Sequence, residues 1–274
     1  MEQIPMGEAP VQKDLIQVSS GRMAEAIYFN RPEKRVICFS TQLNCAVGCV
    51  FCASPGPGRT INLTKDEILH QVAHMRATYD TELSYDKPML FSVMGEGEPL
   101  LNYKNVIAAL HEISQTYDDA KFSLSTSGAA PERIKELAHE DFGAPFKLQV
   151  SIHSMYEDVR SWFMPLAKPI SEIKKAIDYY HAHNDGPVEL NFALIQGVND
   201  QIDDVEAIVD VFRNEYIKIS RYNPIENDKF KASSNYEWFV GQLRWYGLTV
   251  EYHATDGSKV GAACGQTRGA FEKK

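Results

Sequence analysis

Cys45, Cys49 and Cys52 stand in a C-x3-C-x2-C arrangement that places three thiolates on one tight loop. A structural zinc site takes four ligands, mostly as two C-x2-C pairs or with added histidines. Three cysteines with no close fourth ligand fit a 4Fe-4S cluster that leaves one iron without a protein ligand. Such an iron can accept donor atoms from a substrate. A zinc site completed by Cys38 or a histidine is the competing reading, disfavoured by the spacing and by the position of the loop after a strand. Phe51, just before the last cysteine, offers an apolar wall against solvent.

Two further cysteines lie apart, Cys38 seven residues before Cys45 and Cys264 near the C-terminus. An isolated cysteine is by default an inert buried thiol. Around Cys264, however, the small residues of the stretch GAACGQ leave the sulfur accessible. A third segment, Gly95-Glu96-Gly97-Glu98-Pro99, is by itself a glycine turn leaving a strand, and it lacks the third glycine of a dinucleotide fingerprint. His70 and His74 share a helix face at a zinc-binding spacing, but without the glutamate of H-E-x-x-H they read as a solvated face.

The elements that must position these groups alternate. Short apolar runs at 35–40, 89–94, 122–125, 148–153, 188–194, 216–222 and 249–253 read as strands. Helical patterns follow from Thr64, where a capping box opens a stripe, and at 106–117, 131–138, 171–183, 205–214 and 236–246. This alternation builds a parallel sheet, in which chemistry collects at the carboxyl ends of the strands. The cysteine loop, Gly95 to Pro99, Ser125 to Gly128, Ser151 to His153 and Arg221 to Pro224 all stand at such ends.

With 274 residues and 44% hydrophobic content, the chain suffices for one large α/β domain. No window is apolar enough to span a membrane and the start lacks a signal-peptide pattern, so a cytoplasmic protein is expected. Five cysteines in a chain of this length do not make a secreted disulfide scaffold. A net charge of −9 argues against non-specific nucleic-acid binding, with Arg31, Lys34, Arg35 and Arg59 as a local basic rim at most. A monomer is expected.

The cysteine loop resembles the signature of the radical S-adenosylmethionine superfamily. Within it, 38–45 (CFSTQLNC), 94–102 (MGEGEPLLN), 124–128 (LSTSG), 151–153 (SIH), 197–200 (GVND), 223–224 (NP) and 263–266 (ACGQ) resemble, in order, the RlmN/Cfr group of adenine-modifying RNA methyltransferases. The resemblance implies a partial (β/α)6 TIM-like barrel over 21–274, with 1–20 as an extension and without the family's accessory domain. It implies a cluster on Cys45, Cys49 and Cys52, and S-adenosylmethionine used twice per turnover. Gly97, Glu98, Ser125, Ser151, Ile152, His153 and Asn223 would contact the cofactor, with Glu98 a charge partner for its ammonium. Cys264 would carry the methyl group to carbon 2, or else carbon 8, of adenine; Cys38 would resolve the product through a disulfide, and Glu25 would take the proton. Implied partners are ribosomal or transfer RNA and an electron donor such as flavodoxin or ferredoxin. Other substrates of the same chemistry, such as a small nucleotide, or a non-methylating oxidoreductase or activase, are the alternatives. Glu96 departs from the family, which has methionine there.

Overall fold

The computed structural model describes residues 11–19, 21–54, 60–80, 87–225, 229–253 and 265–266. Cys264 and Arg59 lie outside them. Strands β1 (Val11–Gln17), β2 (Met23–Asn30) and β3 (Arg35–Phe39) are followed by a short pair, β4 (Gln42–Leu43) and β5 (Ile61–Asn62). Then come α1 (Lys65–Tyr79), β6 (Met89–Val93), α2 (Tyr103–Thr116), β7 (Ala120–Thr126), α3 (Pro131–Leu137), β8 (Phe146–Ser151), α4 (Glu157–Phe163) and α5 (Ile170–His183). The chain continues through β9 (Val188–Leu194), α6 (Ile202–Phe212), β10 (Tyr216–Arg221), α7 (Tyr236–Trp245) and β11 (Thr249–His253).

One nine-stranded sheet runs β1-β2-β3-β6-β7-β8-β9-β10-β11. From β3 onward every neighbour is parallel, giving seven parallel strands linked largely by helices. β1 and β2 are antiparallel additions, absent from the strand–helix reading of the sequence, and β1 pairs with β2 along its whole length. It therefore belongs to the sheet although it lies in the stretch read as an extension. His74 and Tyr79 of α1 both reach Asp14 on β1, each at 2.7 Å, and fasten it. The sheet curls: Ile27 of β2 and Glu251 of β11 line one cavity.

Alternation along the strands separates two environments. Phe91, Phe122, Leu124, Val150, Leu190 and Ile219 are buried in the core between sheet and helices, packed with Ile107, Leu110, Ile134 and Ile177. Burying one such side chain contributes roughly 1.5–3 kcal/mol. The intervening Ser123, Gln149, Asn191 and Lys218 turn into the barrel lumen. Local signals set the helices. Thr64 and Glu67 form the reciprocal capping box of α1, and Pro131 opens α3. Arg35, read as a rim charge, is instead buried at the foot of β3, where it grips both oxygens of Asp80 at 2.9 Å and also Asp119. Among the described residues no helix is long and apolar enough to cross a membrane.

Candidate active site

A cavity of about 220 Å3 opens at the carboxyl ends of the strands. Cys45, Cys49 and Cys52 line it together. Their loop is closed internally by Cys52 N donating to Cys49 O at 3.1 Å and is pinned from two sides, by Val50 N donating to Phe163 O at 3.0 Å and Ala53 N to Gly265 O at 2.7 Å. Asn44, which leads in, has φ 62 and donates its N–H to Glu96 Oε1 at 3.1 Å. Glu96, itself buried, thus orients the entry to the cysteine loop.

Burial pushes the Cys45 thiol up to about 12, with the Glu98 and Cys52 charges adding to it. Cys49 is also raised, by burial first and then by Cys52 and Cys45. Three thiols so placed become thiolates together only against bound positive charge, which a cluster supplies. Among the described residues no three Cys, His, Asp or Glu side chains converge on a single metal ion. A cluster instead takes each thiolate at a different iron, so the donor set fits it. Cys38, Cys45, Cys49 and Cys52 form no disulfide.

The Gly95–Pro99 turn packs on the chain itself. A Cβ on Gly95 would lie 2.4 Å from Phe39 C, and one on Gly97 (φ 108) 2.6 Å from Gln42 Cβ. The close approach these glycines permit is to the β3–β4 backbone. Glu98 is wholly enclosed. Its Oε1 accepts from Leu100 N at 3.1 Å and Thr126 Oγ1 at 2.7 Å, its Oε2 from Ser127 N and Oγ at 2.7 Å each. A carboxylate has about four acceptor positions, and the fold uses them to tie the end of β6 to the end of β7. Burial still raises its pKa, with these hydrogen bonds opposing. These partners are all neutral donors, and Glu98 is among the residues that line the cavity.

His153 sits at φ 57 at the end of β8. Its Nδ1 accepts from Ala193 N at 3.0 Å, so a neutral ring carries its proton on Nε2. Burial first, then the Arg160 charge, hold its pKa down at about 3. Phe51 meets the ring edge-on, with centroids 4.8 Å apart. The left-handed turn is held from outside by Asn199, whose Nδ2 donates to His153 O at 2.6 Å and Ala193 O at 2.9 Å. This is what the GVND stretch does. Ser125, Ser151 and Asn223 line the cavity, whereas the Ile152 side chain is fully buried in the core and offers only its main chain.

Arg160, on α4, escaped the sequence reading. Buried, it donates to Ser127 O at 2.9 Å, Ser151 O at 3.2 Å, Lys168 O at 3.4 Å and also Ile152 O. It clamps the ends of β7 and β8, and burial lowers its pKa to about 10. No motif announces it, because its acceptors are carbonyls.

Glu25 is buried on β2, with Oε2 2.7 Å from Lys13 Nζ. By alternation it shares a strand face with Ile27 and Phe29, which cluster with Cys38 inside the barrel. Gly265, the neighbour of Cys264, lines the cysteine cavity, and Gln266 Nε2 donates to Pro224 O at 3.0 Å.

Residues 39–211 match the radical SAM superfamily. A relative from Clostridium perfringens, named "Probable dual-specificity RNA methyltransferase RlmN", is 30% identical over 283 residues, covering 100% of this chain and 79% of its own. One of the same name from Thermus thermophilus is 32% identical, covering 93% and 73%. The crystal structure of a radical SAM methyltransferase from Sphaerobacter thermophilus is 31% identical, superposes with a TM-score of 0.84, and covers 98% of this chain and 80% of that one. The cysteine loop, the strand-end residues and these likenesses agree: the chain belongs to the radical S-adenosylmethionine superfamily and, within it, to the RlmN-type methyltransferases, enzymes whose cofactors are a 4Fe-4S cluster and S-adenosylmethionine.

Proposed function

We propose that this enzyme methylates carbon 2 of an adenine in ribosomal or transfer RNA, with Cys264 as the carrier of the methyl group. Cys45, Cys49 and Cys52 would hold the 4Fe-4S cluster, which, reduced by a flavodoxin or ferredoxin, would supply the electron for cleaving S-adenosylmethionine to a hydrogen-abstracting radical. The chain's own residues do the rest. The Cys264 thiolate takes a methyl group from a first cofactor molecule and, after losing a hydrogen atom, presents it to the adenine carbon. Glu25 takes the proton from that carbon. The Cys38 thiolate bonds to the Cys264 sulfur as the Cys264 S–CH2 bond breaks, and the surplus electron returns to the electron donor's couple. The released methylene takes up a proton to become the methyl group, and an outside thiol reductant reopens the disulfide. Gly97 and Ile152 through main chain, and Ser125, Ser151, His153 and Asn223 through side chains, together with Glu98, hold the cofactor.

The supporting observation is that Gly265, next in the chain to Cys264, borders the same cavity as the three cluster cysteines. The relatives' RNA methyltransferase names support the substrate class. The test is nucleoside mass spectrometry of fractionated RNA from cells with and without the protein. One methyladenosine should disappear without it, and return with the wild type but not with Cys264→Ala. Purified Cys264→Ala should still release 5′-deoxyadenosine. Full methylation by that variant would overturn the carrier role.

A further inference from the structure

A second and larger cavity, of about 720 Å3, opens at the opposite end of the barrel, where the parallel strands begin. Sites for small organic molecules span about 300–1,000 Å3. The cysteines of the cluster loop and the Gly95–Pro99 turn border only the upper cavity; Met94, Gln149 and Lys218 form the partition between the two.

The walls of the lower cavity differ in character. One is apolar, made by Ile27, Phe29, Val36 and Leu90. The other carries Lys34, Lys121, Lys147 and Lys218, with Arg31 beside them, against Glu33 and Glu251. Glu189, buried behind this wall, pairs with Lys147 and lies 3.7 Å from Lys218. Basic side chains still outnumber acidic ones here, in a chain whose net charge is −9. The crowding is felt at Lys34, whose pKa is lowered by burial and then by the charges of Arg31, Lys147 and Lys218, against the opposing Glu33. Between the walls, Ser123 is 4% exposed and its Oγ has no hydrogen-bond partner. A hydroxyl buried on these terms costs free energy until something supplies a partner.

We propose that the lower cavity binds a small organic anion, its carboxylate or phosphate held by Lys34 and Lys147 and its apolar body laid along Phe29, Val36 and Leu90. An anion cancels the cation crowding, the apolar wall is covered, and a polar atom of the ligand can reach Ser123. Cys38 lines the same apolar wall, so the cavity adjoins the proposed methyl-transfer residues from below, while the cluster cysteines stay outside it. The binding proposed here does not depend on which substrate that chemistry takes.

The experiment titrates cluster-loaded enzyme with phenyl phosphate, 3-phenylpropionate and the uncharged 3-phenylpropanol, followed by calorimetry. At least one anion should bind and the alcohol should not; which anion binds identifies the head group. Lys34→Gln, at a half-exposed position where folding is not at stake, should weaken that binding about tenfold or more, as loss of a charge-assisted contact does. Lys147→Gln should do the same, and S-adenosylmethionine should not displace the probe. Failure of both anions to bind, equal binding of the alcohol, unchanged affinity in Lys34→Gln, or displacement by S-adenosylmethionine would each overturn the proposal.

Discussion

Lys13 Nζ lies 2.7 Å from Glu25 Oε2, and the two side chains are only 5% and 2% exposed. The pair joins the edge strand β1 to the face of β2 that looks into the barrel. Breaking a buried ion pair by removing one partner strands the other charge and costs about 3–5 kcal/mol. Lys13→Met should therefore destabilise the protein by that order in urea unfolding, and Lys13→Met with Glu25→Leu should recover most of it. Glu25→Gln should leave 5′-deoxyadenosine formation intact and abolish methyl transfer. If methyl transfer survived in Glu25→Gln, the proton would be going elsewhere.

The His153 ring titrates far below its ordinary 6.5, at about 3. Above pH 6.5 folded and unfolded chains both carry a neutral ring and the stability is complete. As pH falls, the unfolded chain takes up a proton that the folded chain refuses. Stability then drops by up to about 1.4 kcal/mol per pH unit until the folded value is reached. Between pH 7 and pH 5 this group alone should cost about 2 kcal/mol. His153→Asn tolerates the left-handed backbone and can still accept from Ala193 N. Urea unfolding at both pH values should show a shallower loss for the variant than for the wild type, and parallel losses would refute the assignment.

How much of this was legible in the sequence depends on how far apart the interacting groups lie along the chain. The cysteine loop could be read because its chemistry is complete within eight residues, Cys45 to Cys52. The parallel sheet could be read because each strand–helix unit carries its own periodicity. Glu98 stands out in the sequence within its glycine turn, but its partners Thr126 and Ser127 stand 28 and 29 residues on, so its use inside the fold is not visible there. Arg160 was invisible because it serves carbonyls, which every residue has. Glu25 reads as a solvated acid until β1, placed outside the domain by the sequence reading, brings Lys13 against it. The lysines of the lower cavity come from the β2–β3 turn and from β7, β8 and β10, and meet only when the sheet curls.

Glycines divide into those the fold needs and those it does not. Gly95→Ala would push a methyl group to 2.4 Å from the Phe39 backbone, which cannot swing aside as a side chain would. Overpacking of this kind costs about 1–3 kcal/mol or more, and here it displaces the turn that lines the cysteine cavity. The variant should unfold earlier and bind S-adenosylmethionine more weakly. Gly241 lies exposed within α7, with nothing inside 4 Å of an added Cβ. Gly241→Ala should raise stability by about 0.5–1 kcal/mol, the helix-propensity difference alone. A melting comparison of both variants with the wild type checks the opposite signs.

Arg160 reaches carbonyls on two strand ends, Ser127 at the end of β7 and Ser151 and Ile152 at the end of β8. These ends also present Ser125, Ser151 and His153 to the upper cavity. Arg160→Met keeps the aliphatic stem but removes the guanidinium donors. Ile152 O still accepts from Ser154 N at 2.7 Å, while a buried carbonyl left without a partner costs about 1–3 kcal/mol. Arg160→Lys restores charge and cannot span the fork that the planar guanidinium spans, so it should recover only a minor part of the loss. Both variants should keep the absorbance of the cluster, because Cys45, Cys49 and Cys52 sit on a different loop. Both should raise the KM for S-adenosylmethionine, Met more than Lys, as the two strand ends lose their common clamp. A variant with lowered stability and an unchanged KM would show that Arg160 supports the fold without shaping the cofactor cavity.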